Sequence, residues 1–310
     1  MTRRAGTGRP LPAPLLMVAS CALFALMGVC VKAASAHYPA ADLVFYRCGL
    51  GALFVLGLAR WRRVGLRTPV PGMHLGRGLF GVGGLMLWFH SLGGLPLATA
   101  MTLNAMSSVW MAVFALLATL LPSRRGRGPD PRMMAAVGAG FLGVVLVLRP
   151  TLGQDQLWHG MAGLVSGVLA ALAYRQLVEL GRAGEPEERT VWYFSLFGLV
   201  LGAVAMAAGG GPQSHTPQGL ALVLSMATLA TVAQLLMTRA YATGRPLANA
   251  TLQYLGIAFS LLLGVWLFDD PLTPSALAGI ALIVAAGISV TGLGPQPPRR
   301  AAAASRPGDT

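Results

Sequence analysis

Charged residues are scarce in this chain. Only 11% of its 310 residues are Asp, Glu, Lys or Arg, against about 25% in soluble domains. That is too little charge to coat a water-soluble fold of this size. Acidic residues number 10. Asp42, Glu179, Asp269 and Asp270 all sit near the edges of apolar runs. A carboxylate near the middle of a run, the usual proton carrier of a pump, is therefore missing. Lysine occurs once, as Lys32 in GVCVKAA, so there is no P-loop and no expectation of ATP hydrolysis. HExxH and GxSxG are absent, and the five histidines are scattered. An enzyme needs a convergent set of such groups, so none is expected here, and neither is a metal or a cofactor. The three cysteines, Cys21, Cys30 and Cys48, form no CxxC and read as small core hydrophobes.

What the chain has is apolar length. Hydrophobic residues make up 55%, mean hydropathy is +0.65, and glycine occurs 40 times. Small residues let membrane helices approach closely. Ten apolar runs are bounded by Gly, Pro or charge clusters: 13–35, 40–59, 77–95, 97–121, 133–149, 158–180, 190–209, 218–238, 246–268 and 273–293. Each is long enough to cross a bilayer. The segments 1–12 and 294–310 read as cytoplasmic tails, the second disordered.

The net charge of +13, taken alone, suggests a nucleic-acid binder. Position along the chain says otherwise. With the N-terminus in the cytoplasm, 19 of 23 basic residues, Arg77 among them, fall on that side. Lys32 and Arg149 fall outside, and Arg47 and Arg175 inside runs. The asymmetry predicts N-in, C-in and an even number of spans. The partner of the charge is the anionic cytoplasmic leaflet, and no nucleic acid is expected. The opening MTRRAGTGRP, its apolar stretch and ASA at 34–36 also mimic a cleavable signal peptide. The run is long for one, and Lys32 precedes the cleavage-like site, so it is read as the first span.

PLATA at 96–100 recurs as PLANA at 246–250, at the start of the fourth and ninth runs. Runs 1–5 then correspond to runs 6–10. Five is odd, so the halves enter the membrane with opposite polarity, as in many secondary transporters. The expected units are 13–149 and 158–293.

These features, with FYRCGLGALF in the second run, LPLATAMTLNAMSSVWMAVFALL over the fourth and RAYATGRPLANATLQYLGIAFSLLLGVWLFDDPLTPSALAGIALIVAAGI over the last three, resemble the drug/metabolite transporter superfamily in its EamA branch. The chain departs from the family in two places. Ser107 and Ser108 stand where a proline is frequent, and LLPSRR and LFDDPL stand where a Gly-Glu pair is frequent. The resemblance implies an all-α integral membrane protein of the bacterial inner membrane: ten helices in two inverted EamA repeats. It also implies a central cavity lined by spans 1, 3, 4, 6, 8 and 9, with spans 5 and 10 peripheral. Family members move amino acids, nucleosides, cofactors, S-adenosylmethionine or amphipathic compounds.

Polar groups in lipid are paired or face a cavity. In the fourth run Asn104, Ser108 and Met111 share a face, with Ser107 beside it and Trp110 in the same run. In the ninth, Asn249, Gln253, Gly256 and Ser260 share one, with Tyr254 the repeat mate of Asn104. Gln234 and Thr238 pair in the eighth; Ser166, Ala170 and Tyr174 in the sixth; Gly81, Gly84, Trp88 and Ser91 in the third, with His90 close by. The expected arrangement is an outer and an inner polar cluster around an aromatic middle of Trp88 and Trp110. If protons are coupled, His90 is the central candidate.

Among charges, Arg47 has three readings: snorkelling, a structural bond to a carbonyl or Asp42, or contact with an anionic substrate. Lys32 is the second candidate. Arg175 and Glu179 read as an i,i+4 pair. GxxxG at Gly163–Gly167 and Gly198–Gly202 reads as packing between spans 6 and 7, or as a dimer face. The uncharged faces of spans 4 and 9 favour a neutral, zwitterionic or amphipathic substrate. The sequence thus reads as a secondary transporter of a small molecule, monomer or homodimer. A non-transporting scaffold or receptor is the alternative.

Overall fold

Proline sets most of the helix starts. The computed structural model describes residues 12–119, 131–148, 154–244, 249 and 252–293. The expected tails, the RRGRGPD connection and Arg149 lie outside the described residues. All regular structure among those described is helical. The helices are α1 (Ala13–Ala34), α2 (Ala40–Arg62), α3 (Pro71–Gly94), α4 (Leu97–Ala105), α5 (Ser107–Thr119), α6 (Pro131–Leu148), α7 (Gln154–Arg182), α8 (Glu187–Ala208), α9 (Pro217–Thr243), α10 (Leu255–Phe268) and α11 (Pro274–Leu293). Pro12, Pro39, Pro96 and Pro186 immediately precede α1, α2, α4 and α8, while α3 and α9 begin on Pro71 and Pro217. A residue without an N–H and with a fixed φ is well placed where helical donors are unsatisfied anyway. Thr216 caps α9 by accepting the Gly219 N–H at 3.0 Å.

Two expected boundaries shift with consequence. The third run was expected from residue 77, but α3 begins at Pro71, so Arg77 lies inside a helix and not in a cytoplasmic connection. The fourth run is interrupted at Met106, whose N–H is shared between the carbonyls of Thr102 and Leu103. The ninth has a corresponding turn at Gln253–Tyr254, just before α10. Interrupted helices of this kind bring backbone polar groups and a change of direction to the middle of a bundle.

Among the described residues, five helices are long and apolar enough to cross a membrane: Ala13–Ala34, Ala40–Arg62, Gln156–Arg182, Glu187–Ala208 and Pro217–Thr243. Large apolar side chains such as Leu53, Leu262 and Val204 are exposed on the outside of the bundle, as suits helices solvated by lipid. Trp61, Trp158 and Trp266, near helix ends, are among the most exposed, where indole rings favour the headgroup level.

The packing has an internal symmetry. The most extensive contacts are α3 with α7, α2 with α8, α1 with α9 and α6 with α11. Exchanging the first half of the chain for the second turns α3·α7 into α9·α1 and leaves α2·α8 and α6·α11 unchanged. The lesser pairs obey the same rule: α1·α10 matches α7 with α4 and α5, and α2·α9 matches α3·α8. Both GxxxG pairs serve these cross-half contacts, which corrects the expected packing of spans 6 and 7 against each other. A Cβ at Gly167 would meet the Leu103 carbonyl at 2.6 Å, and one at Gly202 would meet the Phe45 backbone at 2.8 Å. Backbones this close exclude any side chain there.

Candidate functional site

A cavity of about 110 Å³ lies where the halves meet. Side chains from both halves enclose it. Helix α1 presents Met17, Ser20, Cys21 and Phe24, and α3 presents Arg77, Gly81, Leu85 and Trp88. These spacings of three and four residues put each set on one helical face. The ends of the interrupted helices reach it from opposite halves, through Asn104 and Ala105 on one side and Gln253 and Gly256 on the other. Tyr174 of α7 and Gln234 of α9 complete the polar lining. Helices α6 and α11 contribute nothing to it, whereas α2 and α8 supply Arg47 and Phe194.

The expected residues divide accordingly. Trp88, Asn104, Tyr174, Gln234, Gln253 and Arg47 line the cavity. Asn104 Nδ2 donates to Ser166 Oγ at 3.1 Å, and that hydroxyl donates to the Gly163 carbonyl at 2.6 Å. The other expected residues whose side chains are described do not line it. His90 is exposed and stacks on His159 with centroids 4.2 Å apart, so it is not a central proton carrier. Ser91 is buried close to Gly163. Trp110 packs edge-on to Phe141 of α6 at 5.1 Å. Thr238 donates back to the Gln234 carbonyl at 2.7 Å, the ordinary way a helical threonine satisfies its hydroxyl. Asn249 donates to the Ala240 carbonyl at 2.6 Å and so ties the start of the ninth run to the end of α9. Tyr254 is buried at the turn before α10. The side chain of Ser108 lies outside those described.

Lys32 is also removed from the cavity. Its ammonium meets Asp270 Oδ1 at 2.5 Å and lies over the Phe268 ring at 4.6 Å. Asp270 Oδ2 accepts the Leu97 N–H at 2.7 Å. One carboxylate thus joins α1, the start of α4 and the end of α10. Asp269, before it, takes a left-handed conformation with φ 50°, so the Asp pair divides into one turn residue and one ligand for this junction.

The charge inside the cavity is arginine. Arg47 and Arg77 are each 4% exposed, and their guanidinium carbons lie 5.3 and 4.7 Å from the centroid of one ring, Phe194. Arg47 therefore does not snorkel to the surface. Its Nη1 is 3.6 Å from Cys48 Sγ, and no ion pair with Asp42 forms; Asp42 accepts the Gln213 N–H at 3.4 Å instead. The lining contains no Asp or Glu. Sequence reasoning placed Arg77 among the cytoplasmic charges. The signal for its true position was present, since Arg77 extends the Gly81–Gly84–Trp88 face by one turn.

Three further arginines pair with carboxylates at one end of the bundle. Arg62 meets Glu188 at 2.6 Å, Arg239 meets Glu187 at 3.1 Å, and Arg189 meets Glu185 at 3.0 Å. Glu185 also holds His74 at 3.0 Å, with both side chains buried. Arg175 pairs with Glu179 at 3.1 Å, as its spacing predicts.

The comparisons with known proteins agree with this geometry. The profile of the EamA-like transporter family matches twice, over residues 11–149 and 157–292. The pseudopaline exporter CntI of Pseudomonas aeruginosa is 30% identical over 279 residues, covering 89% of this chain and 95% of that protein. A riboflavin transporter of Rhizobium johnstonii is 31% identical over 260 residues, covering 82% and 81%. An S-adenosylmethionine uptake transporter of Rickettsia bellii is 21% identical, covering 80% and 82%. A solved crystal structure with 21% identity superposes with a TM-score of 0.64, covering 91% of this chain and 97% of that one, and shares the fold. The chain is therefore a multi-pass membrane protein that belongs to the EamA-like transporter family.

Proposed function

We propose that the protein is a secondary transporter that moves a small metabolite across the plasma membrane by alternating access, with the central cavity as its binding chamber. The observation that carries this reading is the composition of the cavity wall. Both halves supply it, and the fourth and ninth runs are both interrupted beside it. A site at the junction of two related halves becomes exposed to opposite sides when one half rocks against the other. In this reading the chain crosses the bilayer ten times with both termini in the cytoplasm. Its units are 13–149 and 158–293, each matched by the family profile over nearly the same residues. The grouping of Arg62, Arg189 and Arg239 at one end supports that end as cytoplasmic. The junction of Lys32, Asp270 and Leu97 then closes the outer end.

Counterflow of labelled amino acids, nucleosides, S-adenosylmethionine and riboflavin in proteoliposomes tests the reading. The expected result is exchange of at least one solute by the wild-type protein, and its loss in Trp88→Ala and Gln253→Ala variants that elute as the wild type does. Unchanged exchange in both variants excludes the cavity as the route.

A further inference from the structure

We propose that the cavity binds its substrate as an organic anion, with a carboxylate or similar oxyanion held between Arg47 and Arg77. This rests on the transporter reading and names the substrate class of the same chamber. The first ground is unbalanced charge. Both guanidiniums are buried and line the cavity. Among the described residues no carboxylate lies within ion-pair distance of either, whereas Glu185, Glu187, Glu188 and Asp270 each hold a basic partner. Because both flank the Phe194 ring, the two charges are at most about 10 Å apart and repel one another in a low-dielectric interior. Burying unpaired charge is strongly unfavourable. An anion between them relieves both the desolvation and the repulsion.

The second ground is the kind of polar atom left without a partner. Arg47 Nε, Arg77 Nε and Trp88 Nε1 are buried, make no hydrogen bond and belong to residues of the lining. All three are donors. Fully buried atoms of the lining that lack a partner are thus donors, which suits a ligand that brings acceptors. Guanidinium planes in particular match the two oxygens of a carboxylate. The rest of the wall is chiefly apolar, from Phe24, Leu85, Met101 and Ile257. The fitting ligand is therefore an acid with an apolar or aromatic body and not a small inorganic ion. This narrows the neutral, zwitterionic or amphipathic substrate expected from the uncharged faces of the fourth and ninth runs to an amphipathic anion.

Thermal unfolding of the purified full chain, at constant chloride, can be titrated with matched acids and amides: benzoate and benzamide, succinate and succinamide, indole-3-acetate and indole-3-acetamide. A ligand of the folded state raises the unfolding temperature by mass action. At least one acid is expected to bind about 10- to 100-fold more tightly than its amide, the range for hydrogen bonds to a charged partner. The preference should vanish in Arg47→Gln/Arg77→Gln and persist, weakened, in Arg47→Lys/Arg77→Lys. Without ligand the double Gln variant should unfold at the same or a higher temperature, because an unpaired buried charge has been removed. A panel in which no acid exceeds its amide overturns the proposal. So does an acid preference that survives the double Gln variant, or ligand-free destabilisation by it, which marks the arginines as structural. Exchange of only neutral or cationic solutes in proteoliposomes defeats this proposal and leaves the transporter reading intact. Acids that bind but never exchange do the reverse.

Discussion

Arginines at the Glu185–Glu188 end of the bundle and arginines in the cavity occupy opposite surroundings. At that end Arg62, Arg189 and Arg239 each meet a carboxylate, and Arg189 also donates to the Gly65 carbonyl at 2.8 and 2.9 Å. They link the end of α2, the start of α8 and the end of α9. In the cavity Arg47 and Arg77 meet an aromatic face and each other's field, with no anion supplied by the described residues. The first group has its counter-charges built in, so it serves the folded state. The second lacks them, so the folded state carries an unfavourable charge that a ligand relieves. Local departures from good packing and pairing concentrate at functional sites, and these two arginines are the clearest departure in the protein.

The contrast is most exposed to failure at Glu185. Its buried carboxylate serves His74 and Arg189 together. Glu185→Ala is expected to lower stability by about 3 kcal/mol, because it leaves buried partners uncompensated. Chemical denaturation in detergent reads this. A loss under about 0.5 kcal/mol, within the range of ordinary surface substitutions, would erase the distinction between the paired end and the unpaired cavity.

A smaller effect is expected at the opposite end, where Asp270 acts both as ion-pair partner and as cap for the start of α4. Asp270→Ala should destabilise by about 1–2 kcal/mol, combining a lost cap with a lost, partly screened pair. A double-mutant cycle with Lys32→Met isolates the pair, and a coupling of about 1 kcal/mol is expected between contacting residues. Strict additivity would show that Lys32 leaves the junction in the membrane.

The smallest effect belongs to Arg175, whose side chain is 73% exposed in its pair with Glu179. Arg175→Gln should change stability by less than about 0.5 kcal/mol and leave any acid-over-amide preference untouched. A loss of that preference would mean that charge anywhere on the protein, and not charge in the cavity, sets it.

Much of the fold was legible because membrane helices obey rules that act locally along the chain. Proline before α2, α4 and α8, and apolar length in α1, α8 and α9, needed no knowledge of neighbours. The repeat was legible from PLATA and PLANA because each half of the chain matches the same family profile. Cavity residues were legible where helical periodicity decides, as for Asn104 and for Tyr174. They were missed where a partner outside the run decides. Trp110 turns to Phe141, Asn249 to the Ala240 carbonyl, and His90 to His159 at an exposed position. Arg77 was missed because a proline-started helix extends the third run by two turns beyond its apolar stretch, into sequence that composition assigns to the loop.

The sequence by itself determined the membrane class, most helix starts and the repeat, since these follow from hydropathy, from the missing proline N–H and from residue spacing. The tertiary structure alone decided which polar groups face the cavity and which have partners. Pairing is a property of helices that meet across the two halves, tens to hundreds of residues apart. Nothing along the chain reveals that Lys32 finds Asp270 while Arg47 and Arg77 find only Phe194 and the space between them.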